Sequence, residues 1–206
     1  MEPNLKCIFC GNPQDLTSEH IPPKSLFPAP RPHNLITVPA CRRCNQSFQK
    51  DEEYFRLVIS GLCGDSPKFQ NLLLNNVIRQ LTHQPKLATT IQRDLFPIKI
   101  NGEVLHGISS QNVRIDHIVQ KIVKGLYFHE QRASLPSNQL VAWNFIDDEY
   151  IRTMGAETVR ALQKSKVHEI AGDIFQYAVR FSITGKSFWI LNFYNAVEFF
   201  AVTDLQ

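Results

Sequence analysis

The sequence predicts an α+β protein in two parts: a small metal-stapled amino-terminal module, residues 1–62, and an α+β domain, residues 63–206, ending in an antiparallel β meander. Three observations predict it. Two cysteine pairs, Cys7-x-x-Cys10 and Cys41-x-x-Cys44, bracket a Pro- and Asn-rich segment with little hydrophobic periodicity. Downstream, apolar residues recur at helical spacing in several runs. Near the carboxyl end, three apolar stretches are separated only by short turn signals.

Each cysteine pair can chelate a zinc ion from one tight turn. Four thiolates at a Zn–S distance of about 2.3 Å make a closed tetrahedral site with no place for water, so such an ion is structural. Four of the five cysteines fall in these pairs, a pattern that suits metal better than a disulfide framework. Cys63 sits among Leu57, Val58, Ile59 and Leu62 and is expected as a buried thiol. The segment between the pairs, from Gly11 to Ala40, exceeds the usual gap of roughly 15–20 residues. It holds Glu19, His20 and Asn34, two oxygen donors and an imidazole, enough for a second site.

Taken in order, Cys7-x-x-Cys10, Glu19-His20-x-x-Pro23, Asn34-Leu35 and Cys41-x-x-Cys44-Asn45 resemble the zinc-containing branch of the HNH endonucleases. The resemblance covers about a quarter of the chain and ends near Arg56. It implies a ββα-metal fold, two strands and a helix around a catalytic ion, and cleavage of phosphodiester bonds to 5′-phosphate and 3′-hydroxyl ends. By the same resemblance Glu19 and Asn45 hold the catalytic ion, His20 is the general base, and Asn34 fixes the loop through side-chain to backbone bonds. Many members carry Asp in place of Glu19 and His in place of Asn45.

The chemistry agrees with those assignments. Hydrolysis needs an activated water, neutralisation of the scissile phosphate and help for the leaving oxygen. An imidazole near pKa 6.5 takes the water's proton at neutral pH. A divalent ion supplies the rest, and Mg²⁺ or Mn²⁺ on Glu19 and Asn45 suits hard oxygen donors. A chain turn after Glu19 is expected to send Glu19 and His20 to opposite sides. Asn45, standing at a helix start, could instead cap it. Lys24, Arg42, Arg43 and Lys50 are candidate phosphate contacts; for each, an ordinary solvated charge is the alternative.

Composition sets limits. Net charge is +3, and residues 1–50 hold six Lys/Arg against three acids, a mild basic bias. The amino terminus shows no leader-like apolar run and no stretch approaches about 18 apolar residues, so a cytoplasmic protein without a membrane span is expected. Asp116-His117 repeats the acid-histidine dipeptide but falls on a periodic helix without cysteines nearby and is set aside; His33, His83, His106, His129 and His168 have no ligand spacing. A zinc deaminase is rejected, because no His-x-Glu or Cys-x-Glu precedes Cys41.

The remaining elements follow from pattern. A helix is expected from just after Cys44 to about Leu62, another over Phe69–Leu81, a short turn at Ile91–Leu95, and a long amphipathic helix from Val113 to about Arg132. Phe96–Ile100 and Val104–Ile108 flank Asn101-Gly102, a hairpin signal. Leu140–Ile146 reads as a strand and Tyr150–Gln163 as a helix. The meander comprises Phe175–Ile183, Ser187–Tyr194 and Val197–Thr203, joined at Gly185-Lys186 and Asn195-Ala196. The expected function is a metal-dependent DNA endonuclease, with the carboxyl-terminal domain selecting the target, forming a homodimer or docking a protein partner. The alternatives are a non-catalytic zinc module that binds nucleic acid or protein, and a nuclease acting on RNA.

Overall fold

The computed structural model describes residues 5–63, 74–100, 103–109, 111–146, 164–172 and 174–205. It is mixed α+β, with all strand pairs antiparallel. Strands β1 (Leu16–Ile21) and β2 (Ile36–Cys41) form a two-stranded ribbon that runs straight into helix α1 (Arg42–Leu62). Register pairs Leu16 with Cys41 and Ile21 with Ile36, so the ribbon opens at the cysteine end of the chain and closes on the proline loop. Its pleat turns Thr17, Glu19 and Ile21 to one face and Ser18 and His20 to the other.

Helix α1 begins at Arg42, ahead of the start expected just after Cys44, and ends at Leu62 as expected. Beyond it stand α2 (Leu74–His83) and α3 (Pro85–Asp94), the latter with proline in its first turn, where the missing N–H costs nothing. The expected short turn at Ile91–Leu95 is the end of this helix. Strands β3 (Leu95–Ile100) and β4 (Glu103–Ile108) pair as the Asn-Gly signal requires, although the two turn residues lie outside the described residues. Helix α4 (Val113–Gln131) is capped by Asn112, whose Oδ1 accepts from the N–H groups of Arg114 and Ile115 at 3.1 and 3.2 Å. It stops at Arg132, which takes a left-handed conformation at φ 54°. The helix expected over 150–163 lies outside the described residues.

A five-stranded sheet in the order β5-β9-β8-β7-β6 contains the meander: β5 (Gln139–Phe145), β6 (Val167–Ile170), β7 (Phe175–Phe181), β8 (Ser187–Phe193) and β9 (Val197–Leu205). In β8, Ser187, Trp189, Leu191 and Phe193 point inward in strict alternation. The hairpin from β8 to β9 turns at Tyr194-Asn195, one residue before the expected pair. Both have positive φ (57° and 53°), and Ala196 N–H donates to Phe193 at 3.0 Å, a tight turn within the three residues that separate the paired Phe193 and Val197.

The inner face of this sheet meets α1 and α4. Phe55 packs against Phe193 and Phe199 at 5.6 and 6.0 Å between ring centres. A single buried apolar cluster runs from Ile8, Ile21 and Val38 through α1 and α4 to Phe193 and Phe199. The ribbon is therefore built into the same core as the sheet. Gly125 marks the closest approach: a β-carbon there would stand 2.4 Å from Ile21 Cγ1, so α4 lies directly on β1.

Candidate functional site

The first cysteine knuckle is a backbone turn. Gly11 N–H donates to Cys7 at 2.8 Å and Cys7 N–H to Asn12 at 2.9 Å, with Gly11 at φ 75°, a conformation cheap only for glycine. The second knuckle is the strand–helix junction, with Cys41 at the N-cap of α1 and Cys44 in its first turn. Ile8 N–H to Pro39 (3.0 Å) and Arg42 N–H to Asp15 (2.9 Å) tie the two together. All four sulfurs lie within 4.8 Å of one another, Cys10 and Cys41 at 3.6 Å, and all are free thiols. Sulfur atoms on a zinc tetrahedron with 2.3 Å bonds stand about 3.8 Å apart, so these residues fit one structural zinc. The Cys44 N–H lowers the Cys41 thiol to about 7, whereas burial pushes the Cys44 thiol up.

Glu19 and His20 follow in β1, and the strand continues through Ile21. The pleat of the strand, rather than a chain turn, therefore sends them to opposite faces. Glu19 is buried at 5% exposure, and Lys121 of α4 donates to its Oε1 and to Oε1 of Glu52 on α1. Lys121 is itself 1% exposed, with its ammonium 5.0 Å from the centre of the Phe48 ring. Burial raises the Glu19 pKa, Lys121 opposes that, and Glu52 adds to it. His20 is half-buried; burial first, then the positive charges of Lys24 and Lys121, hold its pKa below 6.5.

Asn45 lies in the first turn of α1, four residues after the Cys41 cap, so it does not cap the helix. Its Nδ2 donates to Thr17 Oγ1 at 3.0 Å, and that hydroxyl donates to the Ala40 carbonyl at 2.9 Å. Thr17 and Glu19 share a strand face, so Asn45 is anchored one pleat from Glu19. Since its nitrogen makes that bond, Oδ1 is the atom turned away from Thr17, a hard oxygen of the kind Mg²⁺ or Mn²⁺ takes. Glu19 already neutralises one cation, the Lys121 ammonium, so its position suits positive charge.

The other candidates scatter more widely. Lys24, on a short 3₁₀ turn (Lys24–Leu26), is exposed and close enough to His20 to influence it, as is Arg31. Arg42 and Arg43 are exposed on the first turn of α1 beside the thiols. Lys50 lies further along α1, lining a groove with Glu53, His83, Pro85 and Arg114. Asn34 is exposed ahead of β2, and its side chain makes no hydrogen bond to the described residues. The set-aside dipeptide is tied into the helix packing: Asp116 accepts from Trp143 Nε1 (2.9 Å), and His117 Nδ1 is 2.7 Å from Asp51.

Sequence reasoning missed Glu52 and Lys121. Glu52 sits seven residues after Asn45, two helical turns on the same face, but is hidden in the acidic run Asp51-Glu52-Glu53. Lys121 interrupts the apolar stretch Ile118-Val119-Gln120-Lys121-Ile122-Val123, and a charge within an apolar helix face is the signal that was available. Compared with family models, with curated proteins and with solved structures, the chain matches none. Among the described residues no helix is long and apolar enough to cross a membrane.

Proposed function

We propose that this chain is a metal-dependent endonuclease of the HNH type that hydrolyses phosphodiester bonds in DNA. The observation that carries the reading is the β1–β2–α1 unit, which has a four-thiol cluster at its base, the Glu19-His20 pair on β1, and Asn45 bonded across to that same strand. A purely structural zinc module has no need for all three of these side chains together.

Each residue has a part in the reading. Burial and the charges of Lys24 and Lys121 disfavour the imidazolium of His20, which suits a group that takes a proton from water. Its half-buried position on the open face of β1 leaves it accessible to substrate. Glu19 and Asn45 would hold Mg²⁺ or Mn²⁺, which when bound neutralises the phosphate and the leaving oxygen. Arg42, Arg43, Lys24 and Lys50 supply exposed positive charge for the DNA backbone. The four cysteines and their zinc hold the knuckles, and through them the register that sets Asn45 against Thr17.

The test is plasmid nicking with Mg²⁺ or Mn²⁺ by wild type and by His20→Ala. Loss of a general base costs typically 10²–10⁴-fold in rate, so the variant should be nearly silent. Equal cutting by both proteins would remove His20 from the chemistry. Cutting of RNA but not DNA would redirect the substrate.

A further inference from the structure

We propose that Lys121 is a positioning residue of this site, and that its ammonium is the resident cation against which a divalent ion competes for Glu19. The inference rests on the nuclease reading for its metal, but the lysine and its contacts stand by themselves. Two carboxyl groups, the buried Glu19 and the partly exposed Glu52, meet the one buried ammonium of Lys121. Two carboxyl groups thus share a single ammonium, and a buried carboxylate is costly unless it is compensated. The cradle therefore has room, electrostatically, for more positive charge than Lys121 brings.

The lysine is delivered from outside the ribbon–helix unit. Lys121 and Gly125 are four residues apart and share a face of α4. At Gly125 the helix backbone comes close enough to touch Ile21, and Ile21 is one pleat from Glu19. The contact that seats α4 on β1 thus also drives Lys121 onto Glu19. The Phe48 ring, 5.0 Å from the ammonium, offers the lysine a cation–π contact that does not depend on Glu19. A divalent ion on Glu19 would repel the ammonium, and the ring gives it somewhere to stay.

A merely structural ion pair and a competing cation predict different metal affinities. The measurement is Mn²⁺ binding to the zinc-loaded full chain, by electron paramagnetic resonance, for wild type, Lys121→Met, Lys121→Arg, and Lys121→Met combined with Glu19→Gln. Methionine keeps the stem beside Phe48 and removes the charge. Removing a positive charge adjacent to the ion should tighten Mn²⁺ by about tenfold or more, Lys121→Arg should stay near wild type, and the double variant should lose the gain. Equal Mn²⁺ affinity in wild type and Lys121→Met, or a gain that survives Glu19→Gln, overturns the proposal.

A second measurement needs no variant. In the wild-type protein, Mg²⁺ titration should shift or broaden the ¹⁵N side-chain signal of Lys121, and a signal unmoved at saturating Mg²⁺ overturns the proposal equally. The two readings separate cleanly. Metal-dependent nicking without any Lys121 effect leaves the nuclease and removes the competition. A Glu19-dependent gain in Mn²⁺ binding without nicking leaves the competition and removes the nuclease.

Discussion

His20 shows how much a single side chain's function depends on what lies next to it. Its identity as a base candidate was legible from the Glu19-His20 dipeptide between cysteine pairs, but its protonation was not, because Lys24 and Lys121 reach it only in the fold. Burial and those two charges disfavour the imidazolium. A base whose pKa is depressed stays neutral as pH falls past its ordinary value and is protonated only below that. The acid limb of the nicking rate should therefore have its midpoint under 6.5. A pH–rate profile on supercoiled DNA measures it, and a midpoint above 6.5 would mean that the titrating group is not His20 in this environment. Glu19 teaches the complementary point. Its candidacy came from the family resemblance of the motif that holds it, whereas its engagement by a lysine 102 positions away had no sign in the sequence. Long-range pairing of charged groups leaves no local pattern to find.

Elements with strong periodicity or turn chemistry were legible. Helix α4 was expected over Val113 to about Arg132 and spans Val113–Gln131; the hairpin about Asn101-Gly102 and the three strands of the meander also lie where expected. Strand β6 was missed: Val167–Ile170 is four residues long with one buried side chain, too short to show alternation. Strand β1 was expected only through family resemblance, since Ser18, Glu19 and His20 do not alternate in polarity. The contact between α4 and β1 was also invisible, because Gly125 in a helix reads as a local weakness rather than a point of approach. Gly125→Ala makes that contact testable. Alanine gains up to about 1 kcal/mol in helix propensity, while overpacking against a buried side chain costs typically about 1–3 kcal/mol. Ile21 is fully buried and its Cγ1 and Cδ1 would lie 2.4 and 2.5 Å from the new carbon, so the clash should win. Urea unfolding should show a lower midpoint for Gly125→Ala, and an unchanged or higher one would show that α4 is free to shift.

At the scale of the molecule, the question is whether the metal-stapled part stands alone. The sequence suggested a boundary near residues 56–66, with the helix after Cys44 shared between the two parts. Packing ties the two sides closely: Ile8, Ile21 and Val38 belong to the cluster that includes Ile122, Leu126 and Phe193, and Tyr194 donates a hydrogen bond to the Leu26 carbonyl. Zinc binding is folding free energy for any segment whose ligands converge only in the native state. In this chain that free energy should therefore be transmitted beyond residue 62 through the shared core. Wild type should carry one zinc per chain, and Cys41→Ser should lose it. The consequence for unfolding is specific. Thermal melting followed by circular dichroism should show Cys41→Ser lowering one transition that includes the sheet signal, as should removal of zinc from wild type by a chelator. Two transitions, with the upper one at its wild-type temperature, would mean that the sheet folds without the ribbon and that the common core contributes little. One transition would place the zinc, some distance from the meander, among the determinants of the meander's stability.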